Sequence, residues 1–232
     1  DEIDGKKQQI DYLDTPGVNQ MRENLLVINK CLKGHYPDIR IRDDEWLTLQ
    51  QLLMADPKKQ PLDLTRRKLV RIFSGGRFDR GGKFYRGWWQ DVPCEYRSYI
   101  TIAGKKTCEY DFSQLIPQMV YFLRDKELGV EDAYDRVFDC GHRHLVKEAF
   151  NAMMHSSTPL LEEPEDINLS EVDFDWPFLV QAIMDAHKPI QDMFFQGHGN
   201  YLQYVDSFMA EDVMLKFAKS GYAPVLPMQD SF

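Results

Sequence analysis

Two aspartates far apart in the chain, Asp111 and Asp230, carry the most chemistry. Each follows a short run of strand-forming residues, Lys106 to Asp111 and Tyr222 to Met228. A carboxylate delivered to a strand end lies at a sheet edge and can hold a cation, although an aspartate just ahead of Ser113 can equally cap a helix. Two such carboxylates on adjacent strand ends can bind two Mg2+ ions about 3.5–4 Å apart, the clamp for in-line phosphoryl displacement. Mg2+ takes a few carboxylates plus substrate phosphates rather than a full protein cage, so two aspartates suffice. A second group is Arg143, Lys147 and Asn151, spaced to share one face of a helix. A forked donor and a point charge one turn apart suit a triphosphate. A cationic face is also the common solvated one, and Phe150 and Met154 beside it serve a core as readily as a nucleotide.

The elements that must position these residues are read from periodicity. Asn19 to Leu32, a helix starting at Asp43 or Asp44, and Asp63 to Phe73 give a mostly helical region up to residue 74. The glycines from Gly75 to Gly82 break that pattern. Strands are predicted over Phe84 to Gln90, Tyr96 to Ala103 and Lys106 to Asp111, the last two forming a hairpin about Gly104-Lys105. Helices return over Ser113 to Arg124, 141–155, Pro177 to Phe195 and Asn200 to Lys219. Tyr222 to Met228 is predicted as a last strand. The expected fold class is α+β, with a small antiparallel sheet.

The 232 residues carry 28 Lys and Arg against 37 Asp and Glu, a formal net charge of −9. The imbalance is not uniform: residues 58 to 106 hold 13 Lys and Arg against 4 Asp and Glu. A basic segment in an acidic chain is a candidate footprint for a phosphate backbone. Within it, Phe84, Tyr85, Trp88 and Trp89 could stack on bases or form half of a core. The acidic loop from Thr158 to Asp175 reads as solvated. Four scattered cysteines without a CxxC pair read as reduced thiols. No apolar run approaches a membrane span, and no signal peptide opens the sequence, so a cytoplasmic protein without membrane partners is expected.

Residues 75–232 resemble, in order, the motifs of A-family DNA polymerases and the related single-subunit RNA polymerases. Asp111-Phe112-Ser113-Gln114-Leu115 is similar to the D-Y-S-Q-I core of motif A. The RxxxK from Arg143 to Lys147 resembles motif B, the fingers helix that holds the incoming triphosphate. Gln229-Asp230-Ser231-Phe232 resembles motif C, which reads H-D-E or H-D-S-F in the two branches. Gly76-Arg77 is similar to the T-G-R segment and Trp89 to Pro93 to L-Q-N-I-P, while Arg97 stands where the family has an arginine before motif A.

The resemblance implies a polymerase palm over 75–232, a reduced fingers insertion around 125–200, and a helical thumb-like or accessory region over 1–74. It implies that Asp111, Asp230 and the Phe112 carbonyl hold two Mg2+ ions. Arg143 and Lys147 would bind the β- and γ-phosphates, Lys147 would assist the leaving pyrophosphate, and Asn151, Gln114 and Ile116 would line the nucleotide. Arg77, Gln90, Arg97, Asn200 and Gln203 would contact primer–template, with DNA as the family's usual template. Ile116 stands where the DNA polymerases carry the glutamate that screens the sugar, and His155 aligns with the aromatic after motif B, so the choice of dNTP or NTP stays open. Ser231 stands for the motif C glutamate. No exonuclease-like segment is visible, so no proofreading is expected, as in a compact phage or mobile-element enzyme. The alternatives are a catalytically degenerate, nucleic-acid-binding scaffold and an RNA-synthesising polymerase or primase.

Overall fold

The computed structural model describes residues 2–232 except 4, 5, 8, 58, 130, 131, 138–140, 229 and 230, with no side chains described before residue 9. The fold is mixed α and β with small antiparallel sheets. It divides into two compact units: unit 1 takes residues 1–111 and 204–232, and unit 2 takes the intervening 112–203.

Unit 1 begins with the β1 (Glu2–Ile3) and β2 (Lys6–Lys7) pair and then α1 (Pro16–His35). Thr15 caps α1 by accepting from the Val18 N–H at 3.3 Å, and Pro16 opens it with its fixed φ. Tyr36 ends it in the left-handed region at φ 47°. A short strand, β3 (Pro37–Ile39), leads to α2 (Asp43–Met54). The cap of α2 is Arg42 rather than Asp43 or Asp44, because the Glu45 carboxylate accepts the Arg42 N–H at 3.0 Å.

The predicted helix over 63–73 is corrected to a turn and a strand, β4 (Val70–Phe73), paired with β5 (Gly81–Tyr85). Asp63 turns the chain by accepting from the Thr65 N–H and hydroxyl at 2.9 and 2.6 Å. The Asn29 amide then takes both backbone groups of Leu69, at 2.8 and 3.0 Å, which a helix would have needed. The strand expected to run to Gln90 stops at Tyr85, and a 3-10 turn covers Trp88–Asp91. Pro93 starts the short α3 (Cys94–Arg97), so only β6 (Ile100–Ile102) remains of the strand predicted from Tyr96. β6 pairs with β3 and with β7 (Lys105–Lys106). The hairpin loop is Ala103-Gly104, both at positive φ (49° and 77°), the conformation that a tight two-residue hairpin needs. Tyr222 to Pro227 is not a strand, since Pro224 and Pro227 have no N–H to give a ladder; only Met228 enters a bridge.

The core of unit 1 gathers Ile28, Leu32, Leu49, Leu53, Trp88, Trp89, Ile100, Met214 and Met228. Trp88 and Trp89 are 0% exposed and Phe84 is buried, which removes these three as base-stacking candidates; of the four only Tyr85 reaches the surface. The last helix, α7 (Gly199–Ser220), packs a charged group against β4 and β5. Arg71 donates to the Gly82 carbonyl (2.8 Å), the Glu211 carboxylate (2.9 Å) and the Ser207 hydroxyl (2.9 Å). The guanidinium also lies over the rings of Phe73, Phe84 and Phe208. The Arg71 and Glu211 side chains are 4% and 5% exposed. Residue 82 must be glycine here, because a Cβ would stand 2.7 Å from the Phe73 ring and 3.1 Å from Ser207 Oγ.

Unit 2 consists of α4 (Leu115–Leu123), α5 (Arg143–His155), α6 (Trp176–Ala186), a 3-10 turn (Lys188–Met193) and the start of α7 (Gly199–Ser220). α5 buries Leu145, Val146, Ala149, Phe150, Met153 and Met154 along one stripe. At the centre lies His187, 0% exposed. Its Nε2 donates to the Ala133 carbonyl at 3.1 Å, so its Nδ1 accepts from the Tyr121 hydroxyl at 3.1 Å. Burial, reinforced by Arg136, pushes its pKa down to about 4. The unfolded chain therefore binds a proton at this residue that the folded chain refuses between about pH 6.5 and 4. Stability is expected to fall as pH drops through that window, by at most about 3 kcal/mol from this group. Urea denaturation near pH 7 and near pH 4.5 measures it. The His187→Gln protein should show a flatter pH dependence, and an equally steep one would remove His187 as the cause.

Candidate metal and nucleotide site

In unit 1, Asp111 forms an antiparallel bridge with Ser231. Next to it Tyr110 and Phe232 exchange both backbone hydrogen bonds, each 2.9 Å. Met228 and Ser231 also exchange both, at 2.8 Å. Gln229 and Asp230, the second of the two aspartates among them, lie outside the described residues. Asp111 itself is exposed, as is Phe112.

Several side chains hold the residues on either side of that pair. The Pro227 carbonyl accepts from Trp89 Nε1 at 3.2 Å and from Gln90 Nε2 at 3.1 Å. Gln90 also donates to the Phe84 carbonyl (2.9 Å) and accepts from the Gly87 N–H (3.1 Å), so its amide is engaged within the protein. The Ser231 hydroxyl donates to Glu109 Oε1 at 2.9 Å. Arg97 donates to the same oxygen at 3.2 Å and to the Val92 carbonyl at 3.2 Å. Arg97 thus steadies Glu109, which steadies Ser231. Arg77 lies elsewhere, on the loop after β4, and its Nε and Nη2 clasp Asp79 at 2.8 and 2.5 Å.

In unit 2, α5 carries Arg143, Lys147 and Asn151 on one face, as the spacing predicts. Arg143 does not stand open: its Nε and Nη2 donate to Asp132 Oδ2 at 2.9 and 2.6 Å, and its guanidinium sits 5.0 Å from the Tyr134 ring centre. Lys147 is exposed. Asn151 Oδ1 is buried with no hydrogen-bond partner among the described residues. Gln114 stands at the entry to α4 with φ 55°, and its Oε1 accepts the Ala133 N–H at 2.5 Å. That is a strained backbone for a residue other than glycine. Ile116 is half-buried in the first turn of α4. On the first turns of α7, Asn200 is exposed and Gln203 partly so.

The residues that sequence reasoning missed are Glu109, Asp132 and Tyr134. Glu109 carried a signal, since residues i and i+2 of an extended segment share a face and Asp111 is two positions on. Asp132 carried none. Among the described residues no three of His, Cys, Asp and Glu gather to hold a metal. A strand-end carboxylate without histidine or cysteine donors is the chemistry of Mg2+ rather than zinc.

Glu109→Ala is expected to free Ser231 and speed amide exchange at Ser231 and Phe232 by about tenfold, the loss of a hydrogen bond to a charged group. Exchange mass spectrometry on the C-terminal peptide checks this; unchanged exchange would show that the backbone pairing alone holds the turn.

No protein-family model, curated protein or solved structure matches this chain. Among the described residues, no helix is long and apolar enough to cross a membrane.

Proposed function

We propose that the chain is a template-directed nucleotidyltransferase, a DNA polymerase of A-family type that extends a primer 3′-hydroxyl. Unit 1 is read as the palm and unit 2 as reduced fingers. The observation that carries the reading is the pairing of Asp111 with Ser231, the residue that follows Asp230. It brings the motif A-like segment beside the residue next to Asp230 in the motif C-like segment.

Asp111, Asp230 and the Phe112 carbonyl are the groups that would hold Mg2+, which would activate the 3′-hydroxyl and neutralise charge on the phosphates. Lys147, exposed on α5, meets the phosphates of the incoming nucleotide and donates to the departing pyrophosphate. Arg143 reaches the same phosphates only after exchanging Asp132 for them. The orphaned Asn151 Oδ1 is an acceptor, so it suits an O–H or N–H of the nucleotide's sugar or base and not its phosphates. Nucleoside triphosphates and a primer–template, with DNA as the template, are the implied partners.

Asp132→Asn therefore serves as a probe. If Asp132 competes with the nucleotide, the change lowers the KM for nucleotide about threefold to tenfold with kcat little altered. If Asp132 only orients Arg143, KM rises.

The second reading is a degenerate scaffold that binds nucleic acid without extending it. It is favoured by the carboxylates already paired with Arg77, Arg97 and Arg143. Primer extension on a DNA template with Mg2+, offering dNTPs and NTPs separately, decides between them. Extension supports the polymerase and names its sugar. Template binding without extension by either nucleotide set supports the scaffold.

A further inference from the structure

Of the 13 Lys and Arg in the basic segment, five are ion-paired among the described residues. Arg66, Arg71, Arg77, Lys83 and Arg97 are each paired with a carboxylate within 3.2 Å. Arg67, Lys105 and Lys106 have no ion-pair partner among the described residues, and the fold adds Lys33 and Arg40 to them from outside the segment.

Contacts in unit 1 bring these five together. The Ala103 N–H in the β6–β7 turn donates to the His35 carbonyl at 2.9 Å, which ties the turn to the last turn of α1, where Lys33 lies. Tyr36, next along, is 63% exposed, and the Arg67 guanidinium stacks 4.8 Å from its ring centre. The Arg40 guanidinium reaches the same turn, where a Cβ on Gly104 would stand 2.9 Å from its Nη2. Lys105 and Lys106 begin immediately after that turn, opposite Ile102 and Thr101. The acid within the three strands is Asp38, whose Oδ1 accepts the Ile39 N–H at 2.9 Å.

We propose that this sheet edge and the loops beside it, carrying Lys33, Tyr36, Arg40, Arg67, Lys105 and Lys106, bind the phosphodiester backbone of a nucleic acid strand, with Lys105 and Lys106 on the two sides of the edge strand. Five cations drawn from three stretches of sequence gather at strands that carry one acid, Asp38, which gives the charge complementarity a polyanion requires. Stacking on Tyr36 fixes the plane of Arg67 while leaving its N–H edge open for phosphate. The backbone N–H groups of a helix end play no part, because α1 presents its C-terminal end here, where cations are favoured. The proposal takes its partner class from the function proposed above. It places the contact away from Arg77, Gln90 and Arg97, whose donors are already occupied.

The test is fluorescence anisotropy with the full chain and a fluorescein-labelled single-stranded DNA oligonucleotide, repeated with a primer–template duplex and titrated over salt. The Lys105→Glu/Lys106→Glu protein is expected to bind at least about tenfold more weakly, with a salt slope smaller by about one per cation removed. Arg22→Ala, at an exposed cation paired with Asp14, should leave binding within about threefold. Far-ultraviolet circular dichroism and the thermal midpoint confirm folding, and a Lys→Gln pair replaces the charge reversal if it fails to fold. Unchanged affinity and slope would overturn the proposal, as would binding to anionic lipid vesicles without binding to either oligonucleotide. No catalysis is needed. An inactive chain that binds through these cations sinks the polymerase reading alone, and an active chain indifferent to them sinks this one alone.

Discussion

On the proposed function, replacing Asp111 with alanine is expected to abolish primer extension, a loss of at least about a thousandfold in kcat, while binding of primer–template changes little. The size follows from what the carboxylate would do. A metal held at a reacting phosphate contributes several kcal/mol of charge stabilisation in the transition state, and each 1.4 kcal/mol or so is tenfold in rate. The strand expected over 106–111 is cut to Lys105–Lys106, and Asp111 is exposed in an isolated bridge, so alanine there opens no cavity, and the backbone bridge to Ser231 needs no side chain. Stability should therefore hold within about 0.5 kcal/mol. Extension by the variant at the wild-type rate would end the proposal that Asp111 serves catalysis. A large fall in the thermal midpoint would instead mean that the carboxylate serves the fold.

The largest effect on stability is expected at Arg71. Arg71→Ala leaves the Glu211 carboxylate buried without its partner, and breaking such a pair costs about 3–5 kcal/mol. The Gly82 carbonyl and the Ser207 hydroxyl lose their donor in the same step. Desolvation already lowers the Arg71 pKa, and the Glu211 charge opposes that shift, so each charge is tolerated through the other. Glu211 Oε1 has no hydrogen-bond partner among the described residues, so little else would hold it. Against a usual stability of about 5–15 kcal/mol, the loss removes a large share of the margin that keeps the protein folded. The double replacement Arg71→Met with Glu211→Leu should recover at least half of the loss, because apolar residues of similar volume fill such sites without a desolvation penalty. Urea midpoints of the variants measure this. A single variant within about 1 kcal/mol of wild type would mean that water reaches the pair.

The long helices were legible because their signal is local. α1, α5 and α7 carry apolar residues at helical spacing, and their ends came within a few residues of prediction. The hairpin around Gly104 was legible from its glycine. The strands were harder. Leu69 to Phe73 has a helical pattern, but Asn29, remote in sequence, holds the Leu69 backbone, and β5 offers a ladder. At the candidate site, Asp111 could be picked out because strand residues run up to it. Its surroundings could not. The clamp of Trp89 and Gln90 on Pro227, the hold of Glu109 on Ser231 and the pairing of Asp132 with Arg143 join side chains to groups distant along the chain. Such bonds leave no periodicity to read.

The division of the chain has a consequence for its synthesis. Unit 1 draws on 1–111 and 204–232, so its core stays incomplete until the ribosome has translated the whole of unit 2. At about 5–20 residues per second, the interval between Asp111 and Tyr204 lasts on the order of ten seconds. During it Trp88 and Trp89 lack Met214 and Met228, which complete their cluster. A nascent chain with tryptophans uncovered for that long is a substrate for chaperones, and co-translational binding is the traffic this architecture invites.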